Sequence, residues 1–459
     1  MSQPNGSATA SNGANGAAAA AAAAAATFHA PPSAGGFSRI QPDPELVSYP
    51  IPTSWQLLST SQDFLLRAQE VSDLLHKDEA VRDRGNVVPH RQVQLLKDSG
   101  LCTLLGPKSA GGGGQDWQTA YHVVRIIAQG DGSLAQLLGY NYIWFWAAAL
   151  VGTDEQRERI EQWLTQNKYF LGGAVNPRDA DLHITKLGAD GELEFNGKKT
   201  FSTGSKISDV TILEGTFAGE SADAPHVFAP VLSKQDGIKY GDEWVDTLGM
   251  RGTQSGGISI SKVRVAAKDA LGFVDGKFEA LGAYNTLNLP AIQLVFTAFY
   301  LGIAQGALKR GLEYTKVNTR GWPYTPTPAA RGTDEVYIQE GYGTLQARLW
   351  ASEAQFSNVV REASALLHTS PRQKVTAEQR SHLAIQVAAA KVVIADLGLE
   401  ITSKVYEYMG ARAVSGKYGF DVAFRDLRTH TLHDPIAHKR SEVGRFALNG
   451  QGPEPTWYT

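Results

Sequence analysis

The chain has 459 residues, a formal net charge of -3 and 42% hydrophobic residues, enough for a large core and two or three domains. The near-neutral charge argues against nucleic acid or an anionic membrane as partner. The one cysteine, Cys102, excludes an intrachain disulfide and any multi-cysteine metal site. It lies in an apolar run and fits a reducing compartment, so a cytoplasmic protein with no metal is expected.

Residues 1–48 read as a disordered low-complexity tail. The segment is mostly Ala, Gly, Ser, Asn and Pro, with an alanine run over 17–26 and no Lys or Arg before Arg39. A secretory signal or a mitochondrial presequence needs basic residues there. Residues 49–168 read as an N-terminal helical domain, with apolar residues at helical spacing over 61–75, 92–96, 117–128 and 155–163. Ser133 is placed to cap the helix carrying Leu134, Leu137 and Leu138. The apolar run over 140–151 is too short for a bilayer and reads as a buried helix. The glycine run over 111–114 has no following Lys-Ser/Thr, so it reads as a turn rather than a phosphate loop.

Residues 169–285 read as a central β domain of barrel or sandwich type. Short β-branched runs over 193–195, 210–213, 227–232 and 258–265 alternate with turn residues such as Asn196-Gly197. From 286 to 459 long helical patterns return, over 292–316, 336–367 and 377–409. The fold class is therefore α+β, in the order helical, β, helical, with the last part a four-helix bundle that ends in a catalytic segment.

That segment reads Arg425-Asp-Leu-Arg-Thr-His-Thr-Leu-His-Asp-Pro435. Three-residue spacing puts His430 and His433 on one helical face, and Pro435 limits the helix. Imidazoles at an element end suit proton transfer near neutral pH. The same spacing also fits two surface or capping histidines.

The three-part order resembles the acyl-CoA dehydrogenase fold. Leu301-Gly-Ile-Ala-Gln-Gly-Ala-Leu308 with Glu313-Tyr-Thr-Lys316, Gly249-Met-Arg-Gly-Thr253 and the pair Arg425-Asp426 carry that likeness. The nearest pattern is that of the flavin-dependent monooxygenases typified by dibenzothiophene monooxygenase. Theirs resemble the run from Tyr314 to Trp322, Gly410-Ala-Arg412, Tyr418-Gly-Phe-Asp421, the run from Arg428 to Pro435 and Asn449-Gly-Gln451. The resemblance covers essentially residues 52–459.

It implies a two-component enzyme. Reduced FMN arrives by diffusion from a separate flavin reductase and reacts with O2 to a C4a-(hydro)peroxyflavin, which oxygenates a small organic substrate at S, N or C. It implies His433 as acid/base, His430 lining the pocket or orienting His433, and Asp434 fixing a tautomer. Thr203, in Phe201-Ser-Thr-Gly-Ser-Lys206, falls beside the flavin's reactive edge, with Ser205 next to it. Trp244 falls near the ring system, and Arg320 and Arg412 on the phosphate. Arg320 would come from a neighbouring subunit, which implies a homotetramer. Each has an ordinary reading too: a turn threonine, a core tryptophan, surface ion pairs.

Two departures bear on the substrate. The typified enzyme has histidine where this chain has Asn141, which can hydrogen-bond but cannot exchange protons near neutral pH. It has asparagine where this chain has Gly173, with Asn176 nearby. Asn141 therefore stands among the catalytic candidates, on a substrate that differs from dibenzothiophene. The alternative is an FAD-dependent acyl-CoA dehydrogenase or oxidase, whose carboxylate base would fall on Asp434. Gly410-Ala-Arg-Ala-Val414 replaces that family's glycine-rich loop, and arginine suits a terminal phosphate, so FMN is favoured over FAD.

Overall fold

The computed structural model describes residues 58–176, 181–187, 191–219 and 225–456. The tail expected over 1–48 lies outside the described residues. Seven helices come first: α1 Ser61–His76, α2 Glu79–Gly85, α3 His90–Asp98, α4 Trp117–Gly130, α5 Gly132–Phe145, α6 Ala147–Val151 and α7 Asp154–Gln166. α1 opens on a capping box, in which the Thr60 hydroxyl accepts from the Asp63 amide and the Asp63 carboxylate accepts from the Thr60 amide.

α5 differs from the expected start. Its cap is Asp131, whose carboxylate accepts the Leu134 amide at 2.8 Å, and Ser133 already lies inside the first turn. A carboxylate just ahead of the helix both bonds the free amide and favours the positive end of the helix dipole. Every residue of α5 is buried. The segment Gly132–Val151 is long and apolar enough to cross a membrane, but its apolar window is 100% buried, so it reads as a core element.

The middle of the chain forms a seven-stranded mixed sheet. Its strands are β1 Leu171–Ala174, β2 Leu182–Leu187, β3 Glu192–Lys199, β4 Val210–Phe217, β5 Val227–Leu232, β6 Ile238–Tyr240 and β7 Ile258–Val265. The order is β1-β4-β2-β3-β7-β6, with β5 paired to β4. β4 runs parallel to β1 over its first half and to β2 at its end. Asn196-Gly197 is not the expected turn. β3 runs through it, the register against β7 shifts there, and Gly197 takes φ +138. The pair forms a bulge: the Asn196 side chain accepts the Lys262 amide at 2.8 Å, across the strand pair.

Five helices close the chain: α8 Asn288–Asn318, α9 Val336–Leu367, α10 Ala377–Met409, α11 Phe420–His430 and α12 Ile436–Asn449. α8 packs against α4 backbone to backbone. A Cβ at Gly302 would lie 2.1 Å from the Arg125 carbonyl oxygen, and one at Gly306 would lie 2.3 Å from that of Gln129. Glycine alone fits at both places.

Arg425 and Asp426 on α11 join the three parts. The Arg425 guanidinium grips both carboxylate oxygens of Asp83 on α2, one of them at 3.2 Å. It also donates to the Leu248 carbonyl at 2.9 Å. Asp426, buried, accepts the Met250 amide. Removing one partner of such a pair leaves the other charge in a dry place. Arg425→Ala should cost about 3 kcal/mol of unfolding free energy in urea. Adding Asp83→Ala should recover part of that loss. A single-mutant cost below about 1 kcal/mol would place the pair among ordinary surface contacts.

Candidate active site

α11 ends at His430, and His433 lies in the turn that follows rather than on the helix. The spacing still brings the rings together, because the His433 amide donates to the His430 carbonyl at 2.9 Å and keeps the turn near-helical. The two imidazoles stack with centroids 5.2 Å apart and planes 11° apart. Pro435 does not end this helix; it stands at the N-cap of α12.

The histidines differ in setting. His430 is buried, while the His433 side chain is 46% exposed. Burial, then the positive charges of His433 and Lys391, hold the His430 imidazole well below the ordinary histidine range, so it is neutral. Its Nδ1 lies 2.8 Å from the Tyr300 hydroxyl. Its Nε2 is buried and has no protein partner.

Phe296 on α8 is the hub. Its ring meets His430 edge-on at 4.7 Å and His433 at 5.0 Å, stacks on Tyr140 at 6.1 Å, and receives the Lys391 ammonium at 5.4 Å. Gln293, one turn earlier, donates to the Asp434 carboxylate and accepts from Lys391. Asp434 takes φ +48, and its Oδ2 lies 3.4 Å from His433 Nδ1. Burial pushes this carboxylate up. The hydrogen bond and charge of His433, with Lys391 and Lys439, more than reverse that and hold it far below the usual carboxylate range. Lys391 is fully buried, and burial brings its ammonium down to about 8.

Tyr140, Gln136 and Trp144 lie at four-residue spacing on α5, which puts them on one face. Tyr140 lies beside the side chains of Gln136 and Thr203, and so links the histidines to the loop that leaves β3. The Thr203 hydroxyl is 2.9 Å from that of Ser255, which is 2.7 Å from that of Thr253. Thr253 donates to the Met250 carbonyl at 2.8 Å, and the Trp244 indole donates to the same oxygen at 2.9 Å. Thr203, Trp244 and the Gly249-Met-Arg-Gly-Thr253 turn are thus one bonded unit.

Asn141 is not a free catalytic group. Its amide nitrogen donates to the Cys102 carbonyl at 3.0 Å, and its oxygen accepts the Leu171 amide at 3.0 Å. It clamps β1 to the N-terminal helices, one residue and about 100° round the helix from Tyr140. Gly173 also has a cause: a Cβ there would lie 2.3 Å from the Trp144 indole.

Arg320 and Arg412 are exposed and form no ion pair among the described residues. Arg320 follows α8, and the 18 helical steps from Tyr300 to Asn318 span roughly 27 Å. One protomer therefore does not bring Arg320 to the histidines. Reading by motif missed Tyr140, Phe296, Lys391, Gln293 and Tyr300. The aromatic members carried the faint signal of helical spacing around named neighbours. Lys391 carried none.

The described residues leave a set of buried polar atoms without protein partners: Gln136 Oε1, Trp144 Nε1, Ser202 Oγ, Ser205 Oγ and His430 Nε2. Gln136 and Trp144 lie beside Tyr140, Ser202 and Ser205 are chain neighbours of Thr203, and His430 meets Phe296, on which Tyr140 stacks. A flavin ring, with its own carbonyls and N–H group, offers partners of both kinds, so the residues fit the group.

Comparison with known proteins shows the family of this chain. Residues 67–167 match the acyl-CoA dehydrogenase N-terminal domain, and residues 294–437 match its C-terminal domain. A dibenzothiophene monooxygenase of Mycolicibacterium goodii is 36% identical over 82% of this chain and 91% of its own. A probable FMNH2-dependent monooxygenase, SfnC of Pseudomonas putida, is 31% identical over 85% of this chain and 96% of its own. The structure of TdsC from Paenibacillus sp. A11-2 with FMN and indole superposes with a TM-score of 0.80 at 35% identity, covering 86% of this chain and 100% of TdsC. The chain belongs to the acyl-CoA dehydrogenase family, within its branch of flavin-dependent monooxygenases.

Proposed function

We propose that this chain is the oxygenase half of a two-component system. It takes reduced FMN from a separate reductase and uses O2 to oxygenate a small organic molecule at sulfur, nitrogen or carbon. One oxygen atom goes to the substrate and the other leaves as water. The observation that carries this reading is the stacked pair of one buried and one exposed histidine, joined through Phe296 to Tyr140, which lies beside Thr203. Reduced FMN, when bound, supplies the two electrons that activate O2.

The chain's own groups divide the remaining work. His433, exposed and 3.4 Å from Asp434, exchanges protons with solvent. Asp434 stays ionised and orients that imidazole. His430, Tyr140 and Thr203 hydrogen-bond inside the pocket, and Ser205 adds a buried hydroxyl. Phe296, Trp144 and Tyr140 exclude water. Trp244 fixes the turn that supports Thr203. Arg412, and Arg320 of a neighbouring protomer, hold the phosphate, which makes the assembly a homotetramer, acting in the cytoplasm. The dehydrogenase alternative needs a carboxylate base tuned towards working pH. Asp434 is shifted the other way.

Under anaerobic conditions reduced FMN should bind more tightly than reduced FAD. Arg412→Ala should weaken FMN by about tenfold, as for a charge-assisted hydrogen bond. Tighter FAD binding, with electrons accepted from an acyl-CoA, would overturn the reading.

His433→Phe keeps a planar ring and removes both nitrogens. With a substrate found among thioethers, amines and indoles, product should fall by about 10²–10⁴-fold. Reduced flavin should still be consumed, with hydrogen peroxide released. Normal coupling of flavin oxidation to product would make His433 structural.

A neutral buried His430 also predicts a pH dependence. Its folded value lies well below the unfolded one of about 6.5. Below that pH the unfolded chain binds a proton that the folded chain refuses, so stability is lost as pH falls. The slope from this residue approaches about 1.4 kcal/mol per pH unit. Urea unfolding at a series of pH values should show a shallower decline in His430→Phe, and an unchanged slope would mean that the folded imidazole does take up the proton.

A further inference from the structure

We infer that Tyr300 fixes His430 as the Nδ1–H tautomer, so that Nε2 is left as a bare acceptor for a cofactor or substrate bound beside it. The argument is a count of protons. The buried Tyr300 hydroxyl lies 2.8 Å from His430 Nδ1 and 3.0 Å from the His430 carbonyl oxygen. The hydroxyl has one proton to give, and a neutral imidazole has one.

If the hydroxyl gives its proton to Nδ1, the carbonyl contact goes unmade, and Nε2–H is left as a buried donor without an acceptor. If it donates to the carbonyl, Nδ1–H donates to the hydroxyl oxygen and both contacts are bonds. The second arrangement has two hydrogen bonds where the first has one, in a place where a missing bond is costly. It leaves Nε2 as the unprotonated nitrogen. That nitrogen is the one with no protein partner.

The ring is held in this orientation. Phe296 and Phe299 each meet it edge-on at 4.7 Å, and His433 stacks against it at 5.2 Å. The two histidines therefore differ in kind. His430 is an inner acceptor whose proton count Tyr300 sets, suited to an N–H or O–H of bound cofactor or substrate. His433 is the outer group that exchanges protons. Tyr300 is a positioning residue, acting on the reaction through His430. The functional part of this inference rests on the monooxygenase reading, and the tautomer itself does not.

The test is ¹⁵N NMR of the full chain labelled with ¹⁵N-histidine, with the His430 signals assigned by their loss in His430→Gln. Wild type should show a protonated Nδ1 and an unprotonated Nε2 near neutral pH. Tyr300→Phe keeps the ring that fills the core, and it should move His430 wholly or partly to the Nε2–H form. A wild-type Nε2–H signal, or a Tyr300→Phe spectrum unchanged from wild type, overturns the inference. The wild-type spectrum alone decides it should the variant fail to fold. In parallel, with reductase, FMN and indole as probe, Tyr300→Phe should lower product per reduced flavin by roughly fivefold, the scale of one hydrogen bond. A changed tautomer with unchanged product yield overturns the functional part. His433→Phe then judges the monooxygenase reading separately.

Discussion

The geometry of this protein hangs on two adjacent residues, Arg425 and Asp426. Arg425 reaches to Asp83 in the N-terminal helices and to the Leu248 carbonyl. Asp426 takes the Met250 amide on the turn that also supports Trp244 and Thr203. One helical turn beyond Asp426 stands His430. The helix that carries the histidine is thus registered against both other parts of the fold within a single turn of that imidazole. Burial keeps the Asp426 carboxyl far above its ordinary range, and Asp83, Glu79 and Asp131 add to it. The node is electrostatically expensive, and Arg425 with Arg82 supplies the positive charge that makes it tolerable.

Long-range regularity was legible in the sequence, and short-range punctuation was less so. The helices Val336–Leu367 and Ala377–Met409 and the strands Val227–Leu232 and Ile258–Val265 follow their apolar patterns end to end. Asn196-Gly197 did not turn the chain, because pairing on both sides of β3 outweighed the local preference of the dipeptide. Ser133 did not cap α5, because Asp131 stood closer to the free amides.

Around the histidines, the sequence pattern named some of the residues that the fold packs together and missed others. The run from Gly139 to Tyr142 drew notice through Asn141, whereas the residue packed against Phe296 and beside Thr203 is Tyr140. Neighbouring residues on a helix face different ways, and only a packed structure says which one looks inward. Lys391 and Gln293 are 98 residues apart and meet only because α8 and α10 pack together. A lysine within an alanine-rich helix carries no mark of burial in its sequence.

The close approach of α8 to α4 has a consequence for how this enzyme can diversify. With Gly302 and Gly306 pressed on carbonyl oxygens, α8 has no slack to shift or rotate. Phe296, Phe299 and Tyr300 are therefore a fixed datum. On α5, by contrast, Trp144 fills the volume that the missing side chain of Gly173 leaves, so the two positions share one space. Bulk moved from one of these two positions to the other would reshape that space. Bulk at these two positions can be traded while α8 stays where it is, and directed evolution has two natural handles there.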